Sequence, residues 1–98
     1  MKEIKLFYDK AEEKEVGDII VFEPVEAGEI ATKTIYIKNT IKFRLKLDVV
    51  LTGDIDKKEK IEIEPFKMES LTFNITPEKN KFKPITANLT IKLEYLIK

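Results

Sequence analysis

The chain has 98 residues, 43% of them apolar, and sets 18 lysines and arginines against 18 acids with no histidine, cysteine or tryptophan. That length fits one domain, residues 1–98, with a modest core. The composition excludes a thiolate or disulfide site, and no apolar run approaches the roughly 18 residues of a membrane span. Balanced charge, with Arg44 as the sole arginine, argues against a nucleic-acid partner, which would call for a basic excess.

The N-terminal "MKEIKLFYDK" has neither an apolar core nor a small-residue cleavage site, so it does not read as a signal peptide. A cytoplasmic or virion-associated protein is the expectation. Lysine, glutamate and isoleucine dominate and glutamine is absent, a bias shared by thermophile proteins and by AT-rich genomes.

In chain order, "EIKLFY" (3–8) and "DIIVF" (18–22) read as short strands. Between them "DKAEEKEV" (9–16) is polar and short, a helical turn at most. Ala27-Gly28-Glu29 then marks a turn, with Gly28 expected at positive φ. "TKTIYIK" (32–38) alternates through Ile35 and Ile37 and ends at the Asn39-Thr40 turn. "KFRLKLDVVLT" follows, with Phe43, Leu45, Leu47, Val49 and Leu51 at period two. A helix would scatter those five residues, whereas a strand sets them on one face. Gly53-Asp54 marks the next turn, then "KIEIE" (60–64), Pro65, "SLTFNIT" (70–76) and the turn signals Pro77 and Pro84.

The closing stretch is the longest. Ile85, Ala87, Leu89, Ile91, Leu93, Tyr95 and Ile97 alternate with Thr86, Asn88, Thr90, Lys92, Glu94, Leu96 and Lys98. One face is apolar and the other mostly polar, as in antiparallel sheets wetted on one side. The strand outruns its neighbours, of which 70–76 is the expected one through the Pro77–Pro84 loop. Backbone groups should therefore remain free along one end, with Leu96 as an apolar contact. Seven strands with turn signals about every ten residues predict an immunoglobulin-like antiparallel β-sandwich.

"IIVFEPVEAGEIATKTIYIKNT" resembles the N-terminal half of an immunoglobulin-like module of the Hydin-like (ASH) type, related to the major sperm protein fold and seen also in small phage virion proteins. The resemblance rests on Phe22, Val25, Gly28, Thr32 to Thr34, Ile35 to Ile37 and Asn39, and continues through Pro65, Phe73 and Pro77 to Ala87, Leu89 and Ile91. It departs where "NTIKFR" stands in place of a Gly- or Asp-containing turn after the asparagine. It implies a scaffold or interaction module without catalysis.

Side chains suited to chemistry are few. Without histidine or cysteine the usual nucleophile–base pairs cannot form, and Ser70, the sole serine, leads into a strand. Asp54, Asp56 and Glu59 lie close together, but lysines crowd them and the EF-hand spacing is missing. Asn74-Ile-Thr76 and Asn88-Leu-Thr90 match the glycosylation sequon, as threonine-rich strands often do. No cofactor or metal is expected.

What remains is surface. Tyr36, Val50 and Leu96 are apolar residues on the polar side of their strands, and Lys92 and Glu94 stand beside Leu96. A copy that begins at Met1 and ends with its last strand is expected to act through such a surface. A structural or protein–protein interaction module follows, as an auxiliary part of a larger assembly such as a phage or archaeal-virus head or tail, binding a protein partner or itself. The alternative is a carbohydrate- or Ca²⁺-binding sandwich using Tyr36 or the 54–59 loop. Gly28, Asn39, Gly53, Pro65 and Pro77 are read as structural turns.

Overall fold

Leu45, Leu47, Val49 and Leu51 are fully buried while the residues between them are at least partly exposed, so the alternation in this stretch sets burial directly. The same pattern recurs along the chain. In the computed structural model, which describes residues 3–22, 26–76 and 85–97, it builds seven strands: β1 (Ile4–Phe7), β2 (Ile19–Phe22), β3 (Ala31–Asn39), β4 (Arg44–Gly53), β5 (Lys57–Ile63), β6 (Met68–Ile75) and β7 (Ile85–Leu96).

The strands form two antiparallel sheets packed as a sandwich, one in the order β1-β3-β6 and the other β2-β7-β4-β5. One apolar core lies between them. Ile4, Ile35, Ile37, Leu71, Phe73 and Ile75 enter it from the three-stranded sheet, and Ile20, Phe22, Leu45, Leu47, Val49, Leu51, Ile63 and Ile85 from the four-stranded one. A fully buried side chain of this size contributes about 1.5–3 kcal/mol of transfer free energy.

Among consecutive strands only β4 and β5 are paired; every other connection passes between sheets. This corrects one expectation. β6 pairs with β3 and lies in the sheet opposite β7, whose neighbours are β4 and β2. The stretch 9–16 is also not a helical turn. Asp9 Oδ1 accepts the backbone N–H groups of Glu13 and Lys14 at 3.0 and 3.1 Å, and Glu15 bridges back to Phe7. Val16 N–H then donates to Leu6 O at 3.0 Å, so this loop lines the outer edge of β1.

Two turns share one design. Glu29 N–H donates to Glu26 O and Lys67 N–H to Glu64 O, each at 3.1 Å, and in each the third residue has positive φ. That residue is Gly28 (φ +85°) in the first and Phe66 (φ +59°), after Pro65, in the second. Glycine takes this conformation without steric cost, whereas a bulky side chain does not.

Asn39 is the last residue of β3 and leads into the turn that follows, and it is fully buried. Its Nδ2 donates to the carbonyls of Phe43, Ile63 and Glu64 at 2.7, 3.1 and 3.2 Å, and its Oδ1 accepts Ile41 N–H at 3.0 Å. One amide thereby shapes the 40–43 turn and ties the end of β3 to the end of β5. Pro77, Pro84 and Val25 lie outside the described residues.

Candidate functional site

β7 spans about 40 Å at ~3.3 Å per residue, and its two long edges are treated differently. On one side β4 pairs with it from Ala87 to Leu96. On the other, β2 pairs only from Ile85 to Asn88, and one further bond, Leu89 N–H to Asp18 O at 2.7 Å, ends the ladder. Along residues 90–96 no strand lies on that side among the described residues.

Strand geometry fixes which groups are open. N–H and C=O of one residue point to the same side, and successive residues alternate. Leu89 N–H faces β2, so the backbone groups of Ile91, Leu93 and Tyr95 face the open edge, while those of Thr90, Lys92 and Glu94 face β4.

The inward side chains follow the same division. Ile85 and Ala87 are 5% and 2% exposed, Leu89, Ile91 and Leu93 are half-buried, and Tyr95 is 41% exposed. An open backbone edge thus runs beside an apolar ledge that the opposite sheet covers only partly.

The ends of the ledge are fixed by polar contacts. At the start of β7, Asp54 clamps Thr86: Asp54 N–H donates to Thr86 O at 3.1 Å, and Asp54 Oδ2 accepts Thr86 N–H at 3.0 Å and Thr86 Oγ1 at 3.4 Å. Gly53 (φ +123°) makes the close approach, since a Cβ there would lie 3.3 Å from Thr86 O. At the far end the Tyr95 ring lies 5.7 Å from that of Phe43. Partial desolvation, and then the charge of Glu3 and the hydrogen bond it accepts, push the Tyr95 hydroxyl above its ordinary pKa.

The outer face of this sheet carries charge in rows. Reading across β7, β4 and β5, one row is Glu94, Lys46, Glu62 and the next is Lys92, Asp48, Lys60. Signs alternate within each row and between the rows. Beyond them Arg44, opposite Leu96, has Nη2 3.6 Å from Glu62 Oε2 and Nε 3.0 Å from Glu64 Oε1, the latter an ion pair whose angle makes no hydrogen bond.

The candidate interface residues separate into two groups. Lys92, Glu94 and Leu96 lie together on the outer face of β7, and Val50 lies on the same face opposite Thr90. Tyr36 is half-buried on the outer face of the other sheet, next to Ser70, and joins no common patch with them. Alternation places Ile91, Leu93 and Tyr95, the residues that present the open backbone groups, on the dry face and says nothing of their backbone edge. The short β2 beside a twelve-residue β7 is the signal that marks them. Asp54 spends a carboxylate oxygen on Thr86, and no group of three or more acidic side chains suited to a metal ion occurs among the described residues.

The class is therefore an all-β sandwich of seven antiparallel strands, in which β7 is paired on one side alone along residues 90–96 among the described residues. No family model, curated protein or solved structure matches the chain.

Proposed function

We propose that this protein is a non-catalytic interaction module that binds an extended protein segment by adding it as a strand to the open edge of β7. The observation that carries this is the run of residues 90–96, where backbone donors and acceptors and a half-covered apolar ledge lie side by side. Main-chain bonds along such an edge supply affinity, and the side-chain positions beside it supply selectivity.

The outer edges of β5, β6 and β1 offer less. In β5 five of seven residues are charged, the usual guard against strand pairing. In β6 the inward Leu71, Phe73 and Ile75 are already buried, so an added strand gains little apolar cover. The outer edge of β1 is lined by residues 14–16.

Strand order supports the immunoglobulin-like part of the reading. β1, β3 and β6 sit as A, B and E do in that fold, and β4 and β7 as C and F. The place of G beside F is taken here over only four residues by β2. The Hydin-like resemblance through Phe22, Gly28, Asn39 and Phe73 points the same way, toward a scaffold component of a larger assembly such as a virus head or tail. The absence of histidine and cysteine supports a role without catalysis. A carbohydrate- or Ca²⁺-binding role has weaker support, because Tyr36 is half-buried and Asp54 is engaged by Thr86.

A peptide with the sequence of residues 89–97 serves as a strand probe. Its binding is expected to protect the amides of Ile91, Leu93 and Tyr95 from hydrogen exchange and leave those of β5 and β6 unchanged. Protection elsewhere, or none at millimolar peptide, would refute strand addition at β7.

A further inference from the structure

We infer that the strand completing the β7 edge is the β7 of a second copy of this chain, paired antiparallel about a two-fold axis at Leu93. This rests on the strand-addition reading and names its occupant. The two four-stranded sheets would join into one continuous sheet of eight.

Three independent features agree on this geometry. The first is hydrogen bonding. With the axis at Leu93, Leu93 faces Leu93 of the second copy, and Ile91 faces Tyr95. These are the residues whose N–H and C=O groups point to the open edge. Each such pair exchanges two backbone bonds, so every open group between 91 and 95 finds a partner.

The second is charge. The same register sets Lys92 opposite Glu94 of the second copy, and Glu94 opposite its Lys92. The rows then run Glu62, Lys46, Glu94, Lys92, Asp48, Lys60 across both copies, with the sign alternating at every step, including the step between molecules. Neighbouring registers lose this. An axis at Lys92 opposes lysine to lysine, and one at Glu94 opposes glutamate to glutamate. An axis at Ile91 sets Glu94 against Asn88, where β2 already lies, and one at Tyr95 sets Glu94 against Leu96. Directly opposed like charges destabilise a strand pair and opposite charges favour it.

The third is length. The ladder from 90 to 96 pairs with 96 to 90, which fills the edge between the end of β7 at Leu96 and the last β2 contact at Asp18 without displacing β2. On the inward side it sets Leu93 against Leu93 and Tyr95 against Ile91, covering the part of the ledge that the opposite sheet leaves half exposed.

A strand edge alone is small beside the roughly 20–30 residues per side of a standard interface. The dimer is accordingly weak and concentration dependent, suited to an assembly in which many such contacts act together.

The test uses two single variants and their mixture. Lys92→Glu opposes glutamate to glutamate in its own dimer, and Glu94→Lys opposes lysine to lysine, so each is expected to self-associate about tenfold more weakly than the parent. Mixed, the two restore opposite charges at both positions, and sedimentation should show a heterodimer at least as tight as the parent dimer. Both positions are exposed, so the variants remain folded, which circular dichroism verifies. Register is read separately with Lys92→Cys and Glu94→Cys in a chain that has no other cysteine. Residues 92 and 94 form a non-hydrogen-bonded pair with Cα atoms about 4.5 Å apart, within reach of a disulfide. Mild oxidation should crosslink the mixture and neither variant alone. Self-crosslinking of Lys92→Cys, a monomeric parent at millimolar concentration, or a mixture no tighter than its components would overturn the inference. If the 89–97 peptide still protects Ile91, Leu93 and Tyr95 while the parent stays monomeric, strand addition stands and only the second copy is rejected.

Discussion

Residues 85–88 and 89–96 of β7 carry the same alternation of apolar and polar side chains, yet they lie in different surroundings. The first segment has β2 on one side and Asp54 and the end of β4 on the other, and its inward residues Ile85 and Ala87 are buried. Beyond the Leu89 bond to Asp18 the second has β4 alone, and its inward residues Leu89, Ile91 and Leu93 are half-buried while Tyr95 is 41% exposed. Period-two patterning assigns a residue to a face. Whether that face is covered depends on the lengths of the strands beside and opposite it, which lie elsewhere in the sequence.

The sharpest way to break this comparison is to place a charge at matching inward positions in the two segments. Ala87→Asp, like Leu47→Asp on the covered β4, should cost several kcal/mol because the carboxylate is buried without a partner. Tyr95→Asp should cost about 1 kcal/mol or less. Equal shifts in chemical denaturation would contradict the division.

Proline tests the backbone rather than the side chains. Lys92→Pro removes a donor to β4 and should destabilise by about 3 kcal/mol, the general scale for proline in a bonded ladder or helix. Tyr95→Pro removes only an open-edge donor and should cost about 1 kcal/mol, partly through its lost ring contact with Phe43. A reversed order in thermal melts would place the ladder on the wrong side of β7.

Truncation gives a finer gradient. Ile85→Ala should cost about 2–4 kcal/mol and Leu93→Ala about 1–2 kcal/mol, following their burial. Denaturant midpoints at constant m-value report the difference.

The smallest effect lies at the far end of the ledge. Glu3→Gln leaves the partial desolvation of Tyr95 in place but removes the charge that further opposes its ionisation, so the hydroxyl should titrate lower than in the parent and stay above the ordinary tyrosine value. Because the folded-state pKa is raised, the stability linked to this proton is intact below about pH 10 and falls as pH rises through the folded value. Ultraviolet absorbance titration follows the shift, and an unchanged midpoint would remove Glu3 as a contributor to it.

Much of the sandwich was legible because the strands are rich in β-branched residues at period two. All seven segments are strands, within a few residues at their ends. Sheet membership was not legible. Adjacency in sequence suggests β6 beside β7, but long-range packing of two sheets decides partners, and three of the seven strands, β2, β3 and β6, lie between chain neighbours in the opposite sheet. Asn39 carries a signal of its own beyond the turn it precedes. It continues the inward series Ile35, Ile37, Asn39, and a polar residue at an inward position must find buried partners, here three carbonyls. Phe66 shows the reverse. Pro65 announces the turn, but nothing in a phenylalanine announces φ +59°. In the candidate site, Lys92, Glu94 and Leu96 were readable as one outward stripe. The open groups of Ile91, Leu93 and Tyr95 depended on where β2 stops.

Whether the β7 edge is open is read by residue-resolved hydrogen exchange on the dilute monomer. An open edge gives a two-residue rhythm along β7: slow exchange at Lys92 and Glu94, whose N–H groups face β4, and fast exchange at Ile91, Leu93 and Tyr95. Uniform protection from 90 to 96, at the level of Leu47 and Val49 in the buried strand, would show the edge covered within a single chain and contradict it.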